Sequence, residues 1–261
     1  MTHSNASFWL GTSWKMNGSK SMVKRYAEAL SGAEWGKFPY VAPFVLPPFP
    51  FVEKMAEILV GTPVRVGVQN VHWKQEGAFT GEVSPTMAAE VGATIAEIGH
   101  CERRALFGET DEIVRAKTEA ALAANLTPLI CVGDSKLENG AGAAAATIIR
   151  QAKIALAGLS LKEVARCVLA YEPVWSIGVG GTPADPAEVS VTLAELRSAL
   201  TAAYGDTGSG VKLLYGGSVN LDNVQALAST PNVDGLFVGR AGWTAEGILA
   251  LITKANMVRA T

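Results

Sequence analysis

Short apolar runs alternate with longer amphipathic ones from one end of the chain to the other. The runs Phe8–Trp14, Val41–Leu46, Val64–Gln69, Thr94–Gly99, Pro128–Gly133, Cys167–Trp175, Val211–Gly216 and Gly235–Gly239 are mostly apolar at successive positions and close on Gly or polar residues. Strands covered on both faces, as in a parallel sheet, read this way. Between them, helical periodicity covers Lys20–Ser31, Phe51–Leu59, Pro85–Val91, Asp111–Ala124, Ala144–Leu156, Pro186–Tyr204, Asn223–Ala228 and Thr244–Lys254. Thr110 is placed to cap the helix from Asp111, whose first turn carries two acids where the helix dipole favours them. The Ala-rich stretch Gly140–Ala146 reads as a loop running into a helix start.

Eight strand–helix units, with no composition shift or long Pro/Ser/Gly linker, predict an α/β chain folded as one (β/α)8 barrel domain over residues 1–261. A closed barrel accounts for eight units better than an open doubly wound sheet. The first strand–helix turn, Ser13–Ser19, also lacks the G-x-G-x-x-G fingerprint of dinucleotide binding.

Composition narrows the function classes. Hydrophobic residues make up 49% of the 261 and charged residues 18%, which suits a large core and excludes a disordered chain. A formal charge of −2 argues against nucleic acid as a partner. Three cysteines, Cys101, Cys131 and Cys167, lie in or beside apolar runs, a usage that points to a reducing compartment. Met1–Ser7 lacks the pattern of a signal peptide, and the longest charge-free stretches fall short of the ~18 residues of a membrane span. The expectation is a soluble, cytoplasmic protein with no membrane contact.

In a barrel of this kind the chemistry sits at the C-terminal ends of the strands. Lys15 follows strand one, His100 follows strand four and Glu172 ends strand six, while glycine turns follow strands six, seven and eight at Gly178–Gly181, Gly216–Ser218 and Gly239. Each residue alone has a plain alternative: Lys15 as a solvated lysine, His100 as a structural histidine, Glu172 as an ion-paired acid. If Cys101–Arg104 open a helix, its N-terminus favours a neutral imidazole at His100. Glycine turns offer backbone N–H groups to phosphate. Together, a base, a weak donor, a fixed cation and an anion nest describe proton abstraction beside a carbonyl on a phosphorylated substrate. Histidine and cysteine spacings offer no metal site. Cys131 reads as packing, and His72 with Trp73 as supports for their own loop.

These residues also carry a resemblance. Trp14–Lys15–Met16–Asn17, Gly77–Glu82, Ile98–Gly99–His100 with Glu102–Arg103–Arg104, Phe107–Gly108–Glu109–Thr110, Tyr171–Trp175 with Ile177–Gly178, and Tyr215–Val219 occur in order along nearly the whole chain. In these segments the chain resembles the triosephosphate isomerase family. The resemblance implies an electrostatic clamp at Lys15, a neutral electrophile at His100, the base at Glu172, and Glu102 as the partner that orders Lys15. It implies phosphate donors at Gly178, Ser218 and Gly239, a lid from Pro173 to about Pro183, and no cofactor. It also implies a homodimer in which the Gly77–Glu82 loop, carrying Thr80, reaches the neighbouring site.

Four departures stand out. Ser13 replaces the family's asparagine, Cys101 replaces a serine, the lid tip lacks its lysine, and Arg240 takes the second place of a glycine pair. The segments Gly11–Asn17 and Asp234–Arg240 look like a branch that interconverts L-erythrulose 1-phosphate and D-erythrulose 4-phosphate, a small phosphorylated ketose pair. That branch needs room for two more heavy atoms and a partner for a hydroxyl, which serine in place of asparagine provides. The alternatives are an ordinary triosephosphate isomerase, a non-catalytic phosphate-binding barrel, and a metal-dependent aldolase or epimerase; Arg240 has its own alternative, with its side chain in solvent and only its backbone N–H facing phosphate.

Overall fold

Eight parallel strands close into a barrel in sequence order in the computed structural model, which describes residues 8–178 and 181–259. The readings of Met1–Ser7 and of the lid-tip residues Val179 and Gly180 fall outside the described residues. The strands are β1 (Phe8–Ser13), β2 (Val41–Leu46), β3 (Arg65–Val68), β4 (Ile95–Ile98), β5 (Thr127–Val132), β6 (Val168–Tyr171), β7 (Lys212–Tyr215) and β8 (Gly235–Val238). Pairing of Trp9 with Gly235 through Thr12 with Val238 closes the ring.

Strand alternation splits the core in two. Phe44, Leu46, Ile95, Leu129, Cys131, Val168, Ala170, Leu214 and Phe237 fill the barrel interior. The residues between them, among them Val45, Ala96, Ile98, Ile130 and Leu169, face outward against the helices in a second, larger cluster. Both faces are therefore apolar, which is why the strands read as unbroken hydrophobic runs.

The main outer helices are α1 (Lys20–Ser31), α2 (Val52–Leu59) and α3 (Pro85–Glu90), then α4 (Cys101–Phe107) and α5 (Asp111–Ala123). Next come α6 (Lys136–Gly140), α7 (Ala144–Ala155) and α8 (Leu161–Val164), followed by α9 (Pro186–Gly210), α10 (Val224–Ser229) and α11 (Ala245–Arg259). Their caps follow local chemistry. Ser19 accepts from Met22 N–H at the start of α1. Thr110 accepts from Ile113 N–H at the start of α5, the cap the sequence predicts. No described helix is long and apolar enough to cross a membrane.

Among the boundaries that differ from the pattern, two have a clear local cause. Strand six is expected to reach Trp175 but stops at Tyr171, because Pro173 has no N–H and Val174 N–H turns to Asp134 O at 3.0 Å, opening a 3-10 turn over Val174–Ser176. Helix α9 continues past Tyr204 to Gly210 across a break at Gly205, whose φ of +58° is non-helical. Helix α11 runs on to Arg259, past the expected end at Lys254. Earlier in the chain, short α4, α6 and α8 fill segments too brief to show a period.

Candidate active site

The C-terminal rim of the barrel surrounds a cleft of about 450 Å³ lined by Ser13, Lys15, His100, Glu102, Glu172 and the glycine turns after β6, β7 and β8. The separate sequence-predicted residues therefore converge on one place, 157 positions apart in the chain though Lys15 and Glu172 are.

Lys15 sits just beyond β1 with φ +52°, a left-handed conformation that costs a non-glycine residue of order 1 kcal/mol. Gln69, at the end of β3, holds it there: its amide donates to Lys15 O at 3.0 Å and to Leu46 O at 2.8 Å. The Lys15 ammonium lies 2.6 Å from Glu102 Oε1. Burial works against that charge, but Glu102, by hydrogen bond and by charge, and Glu172 outweigh it and lift the pKa above the usual lysine value. Lys15 is therefore a fixed cation.

Gly99, at φ +71°, turns the chain out of β4 in a conformation that favours glycine and delivers His100 as the cap of α4. His100 Nδ1 accepts the Glu102 backbone N–H at 3.2 Å. A backbone N–H can only donate, so Nδ1 carries no proton and the ring presents Nε2–H. That nitrogen lies 3.3 Å from Glu172 Oε1.

Glu172 is 2% exposed and follows β6 directly. Its own N–H remains in the ladder, bonded to Val132 O at 2.7 Å, and its Oε2 accepts Cys101 N–H at 3.1 Å. Gly133 makes this possible, since a Cβ there would stand 2.1 Å from Glu172 O. Glu172 is thus fixed in backbone by the ladder and in side chain by Cys101 N–H, with its Oε1 facing His100. Burial and the neighbouring Glu172 carboxylate push the thiols of Cys101 and Cys131 up, so neither is a ready nucleophile.

Ser176, at the end of the 3-10 turn after β6, has its hydroxyl 3.3 Å from Tyr215 OH and accepts Ser218 N–H at 3.1 Å. Gly239 and Gly178 both face open space where a Cβ would project. Arg240 is exposed, and its Nη2 donates to Gly178 O at 3.4 Å, so the side chain bridges the cleft mouth. The 3-10 turn over Val174–Ser176 is tied down by Asp134, which accepts Tyr171 OH at 2.8 Å and Trp175 Nε1–H at 3.1 Å.

Sequence reasoning missed Glu97, Gln69 and Asp134. Glu97 lies on β4 two residues after Ile95, hence on the barrel's inner face, is 2% exposed and accepts the Ser13 hydroxyl at 2.9 Å. A lone acid inside an apolar strand is the signal that could have found it. Away from the cleft, buried Lys117 donates to Glu109 at 2.5 Å and to Asn70 at 2.7 Å, fixing the start of the β3–α3 loop. His72 stacks between Trp73 and Phe79 in that loop, at 4.1 Å from each, which is the supporting role expected of it.

The triosephosphate isomerase family model matches residues 8–255. The chain belongs to the triosephosphate isomerase family. It is 45% identical over 248 residues to the L-erythrulose-1-phosphate isomerase of Rhizobium rhizogenes, covering 95% of this chain and 94% of that protein. It is 44% identical over 248 residues to the L-erythrulose-1-phosphate isomerase of Brucella abortus, covering 95% and 96%. Among solved structures, the triosephosphate isomerase from Bartonella henselae superposes with a TM-score of 0.85 at 31% identity, covering 95% of this chain and 98% of that one. As a triosephosphate isomerase family member the protein is an intramolecular oxidoreductase acting on a small phosphorylated ketose.

Proposed function

We propose that the protein interconverts L-erythrulose 1-phosphate and D-erythrulose 4-phosphate, with Glu172 as base, His100 as electrophile and Lys15 as clamp. Ser13 carries the reading of the substrate. It occupies the cleft floor with a one-carbon side chain, leaving room for the CH2OH that distinguishes a tetrulose from a triose, and it brings a hydroxyl to meet it. The names of the Rhizobium and Brucella relatives support the same choice.

The reaction follows from the contacts. The Glu172 carboxylate takes the proton from C3, and the C–H electron pair becomes the C2–C3 double bond. The former C2 carbonyl oxygen becomes an enediolate oxygen beside the Lys15 ammonium and the His100 Nε2–H. His100 gives its Nε2 proton to O2 and recovers one from O3, and Glu172 returns its proton to C2. The ketone now stands at C3, which is D-erythrulose 4-phosphate when numbered from the other end. A neutral imidazole suits this exchange, a role for which the family is the standing example of general acid–base tuning. Glu102 keeps Lys15 in place. Phosphate is held by N–H groups of Gly178, Ser218 and Gly239 with Arg240 across the mouth, Ser218 releasing Ser176 to do so.

The same reading includes a homodimer. Gly77–Glu82 is exposed throughout, and Met16, directly after Lys15, is 96% exposed, an apolar arrangement that a second copy would cover.

The test is kcat/KM for L-erythrulose 1-phosphate and dihydroxyacetone phosphate on the same preparation. A preference of about 100-fold or more for the tetrulose is expected, because a site that hydrogen-bonds a substrate hydroxyl discriminates against an analogue lacking it. The reverse preference makes the protein a triosephosphate isomerase. Silence on both, with phosphate esters still bound, makes it a phosphate-binding barrel.

A further inference from the structure

Serine can donate one hydrogen bond and accept others, so its usefulness to a substrate depends on where its proton points. In this cleft the direction is set from below. The Ser13 hydroxyl lies 2.9 Å from Glu97 Oε2, and the Ser13 carbonyl accepts the Trp243 indole N–H at 2.9 Å. Both ends of the residue are fixed. With its proton committed to the acid, the Ser13 oxygen presents only lone pairs to the cleft, and its complement is a donor.

Glu97 is placed to matter for the reacting carbon as well. A carboxylate oxygen of Glu97, one of Glu172 and the Cys131 sulfur lie within 4.8 Å of one another. The acid therefore underlies the ground between Glu172, which removes the C3 proton, and Ser13. On the four-carbon reading, with Glu172 taking the C3 proton, the substituent on C3 is placed in that ground. In a triose it is hydrogen; in L-erythrulose 1-phosphate it is CH2OH, whose hydroxyl is the donor that Ser13 lacks.

Packing offers no reason for the acid. Its inward-facing neighbours Ile95, Leu129 and Cys131 are apolar, and burying a carboxyl where an apolar side chain fits costs several kcal/mol unless its bonds are made good. The cost is visible in the proton affinity of Glu97, which burial raises to about 7.

We infer that Glu97 is a specificity-determining positioning residue: by accepting the Ser13 proton it turns the Ser13 oxygen into an acceptor for the C4 hydroxyl of the tetrulose phosphate. This rests on the four-carbon reading above. Glu97 touches neither substrate nor reacting atoms; it acts through Ser13.

The experiment compares wild type with Glu97→Leu, Glu97→Gln, Ser13→Ala and the Ser13→Ala/Glu97→Leu double variant. The readout is the ratio of kcat/KM for L-erythrulose 1-phosphate to that for dihydroxyacetone phosphate, with thermal unfolding as the folding check. Glu97→Leu and Ser13→Ala should each lower the ratio at least tenfold, and the double variant should lower it no further than the worse single one. Glu97→Gln should retain most of the ratio, since its amide oxygen still accepts the serine proton. A wild-type preference for the triose defeats the four-carbon reading itself. A wild-type preference for the tetrulose that survives Ser13→Ala, or additive losses in the double variant, overturns the inference and leaves that reading standing. Should Glu97→Leu not fold, Ser13→Ala and Glu97→Gln decide: loss in the first with retention in the second supports the inference, and any other pairing overturns it.

Discussion

Replacing Glu97 by glutamine removes a titration from the barrel floor, and the structure sets both the sign and the size of the effect. The side chain is fully enclosed, and burial is the main cause that lifts its pKa from 4.5 to about 7. Four groups face it with smaller effects: His100 lowers the value, Glu172 raises it, and the Ser13 hydroxyl and Lys15 lower it. Between pH 4.5 and about 7 the folded protein keeps the proton that the unfolded chain has released. Stability must then fall as pH rises through that window. The whole displacement corresponds to about 3 kcal/mol at about 1.4 kcal/mol per tenfold change in proton affinity. Glutamine has nothing to release, so the difference in unfolding free energy, Glu97→Gln minus wild type, should grow by about 3 kcal/mol from pH 4 to pH 8 and level off above. In melting temperature that amounts to roughly 6–10 °C for a chain of this size. Denaturant unfolding of both proteins across that range measures it. A difference that stays flat between pH 5 and pH 8 would refute the reasoning, because Glu97 would then titrate alike in the folded and unfolded states.

Three further outcomes are expected. Glu172→Asp should lose about 100-fold or more in kcat with little change in the affinity for a phosphate ligand, since a base acts in the transition state; single-turnover and binding measurements separate the two. Lys117→Met should destabilise the fold by roughly 3–5 kcal/mol in denaturant unfolding, because it leaves Glu109 buried without its lysine. Sedimentation velocity at micromolar concentration should show a dimer, and a fully active monomer would contradict the interface assigned to Gly77–Glu82.

What could be read from the chain, and what could not, divides along physical lines. Strands buried on both faces announce themselves by unbroken apolar runs, and β2 is recovered at its observed bounds, Val41–Leu46. Where an apolar run outlasts the ladder, as after Tyr171, hydrophobicity alone overshoots, and only the missing N–H of Pro173 marks the stop. Lys15, His100 and Glu172 were legible because polar groups at strand ends break the run. Glu97 and Gln69 also have side-chain direction in their favour, but their meaning depends on partners 84 and 54 residues away that no local pattern contains. The Arg103–Glu109–Lys117–Asn70 cluster has the same character: four ordinary polar residues become one buried network only after three elements meet.

The location of these groups in the barrel explains how substrate preference can change while the chemistry stays. Lys15 and His100 lie beyond the strand ends, set by the turns after β1 and β4. Ser13 and Glu97 lie within β1 and β4, on inward-facing positions, one layer below. On the proposed reading the upper layer determines where charge develops in the enediolate, and that charge is the same for a triose or a tetrulose. The lower layer would then meet only the substituent on the carbon that loses its proton. Residues in it can trade size and hydrogen-bonding sense without moving the base, the imidazole or the lysine, provided the backbone of each strand end is held as Gln69 and Trp243 hold Lys15 and Ser13. If Ser13 and Glu97 act as proposed, discrimination between three and four carbons is a property of the barrel floor, and turnover a property of its rim.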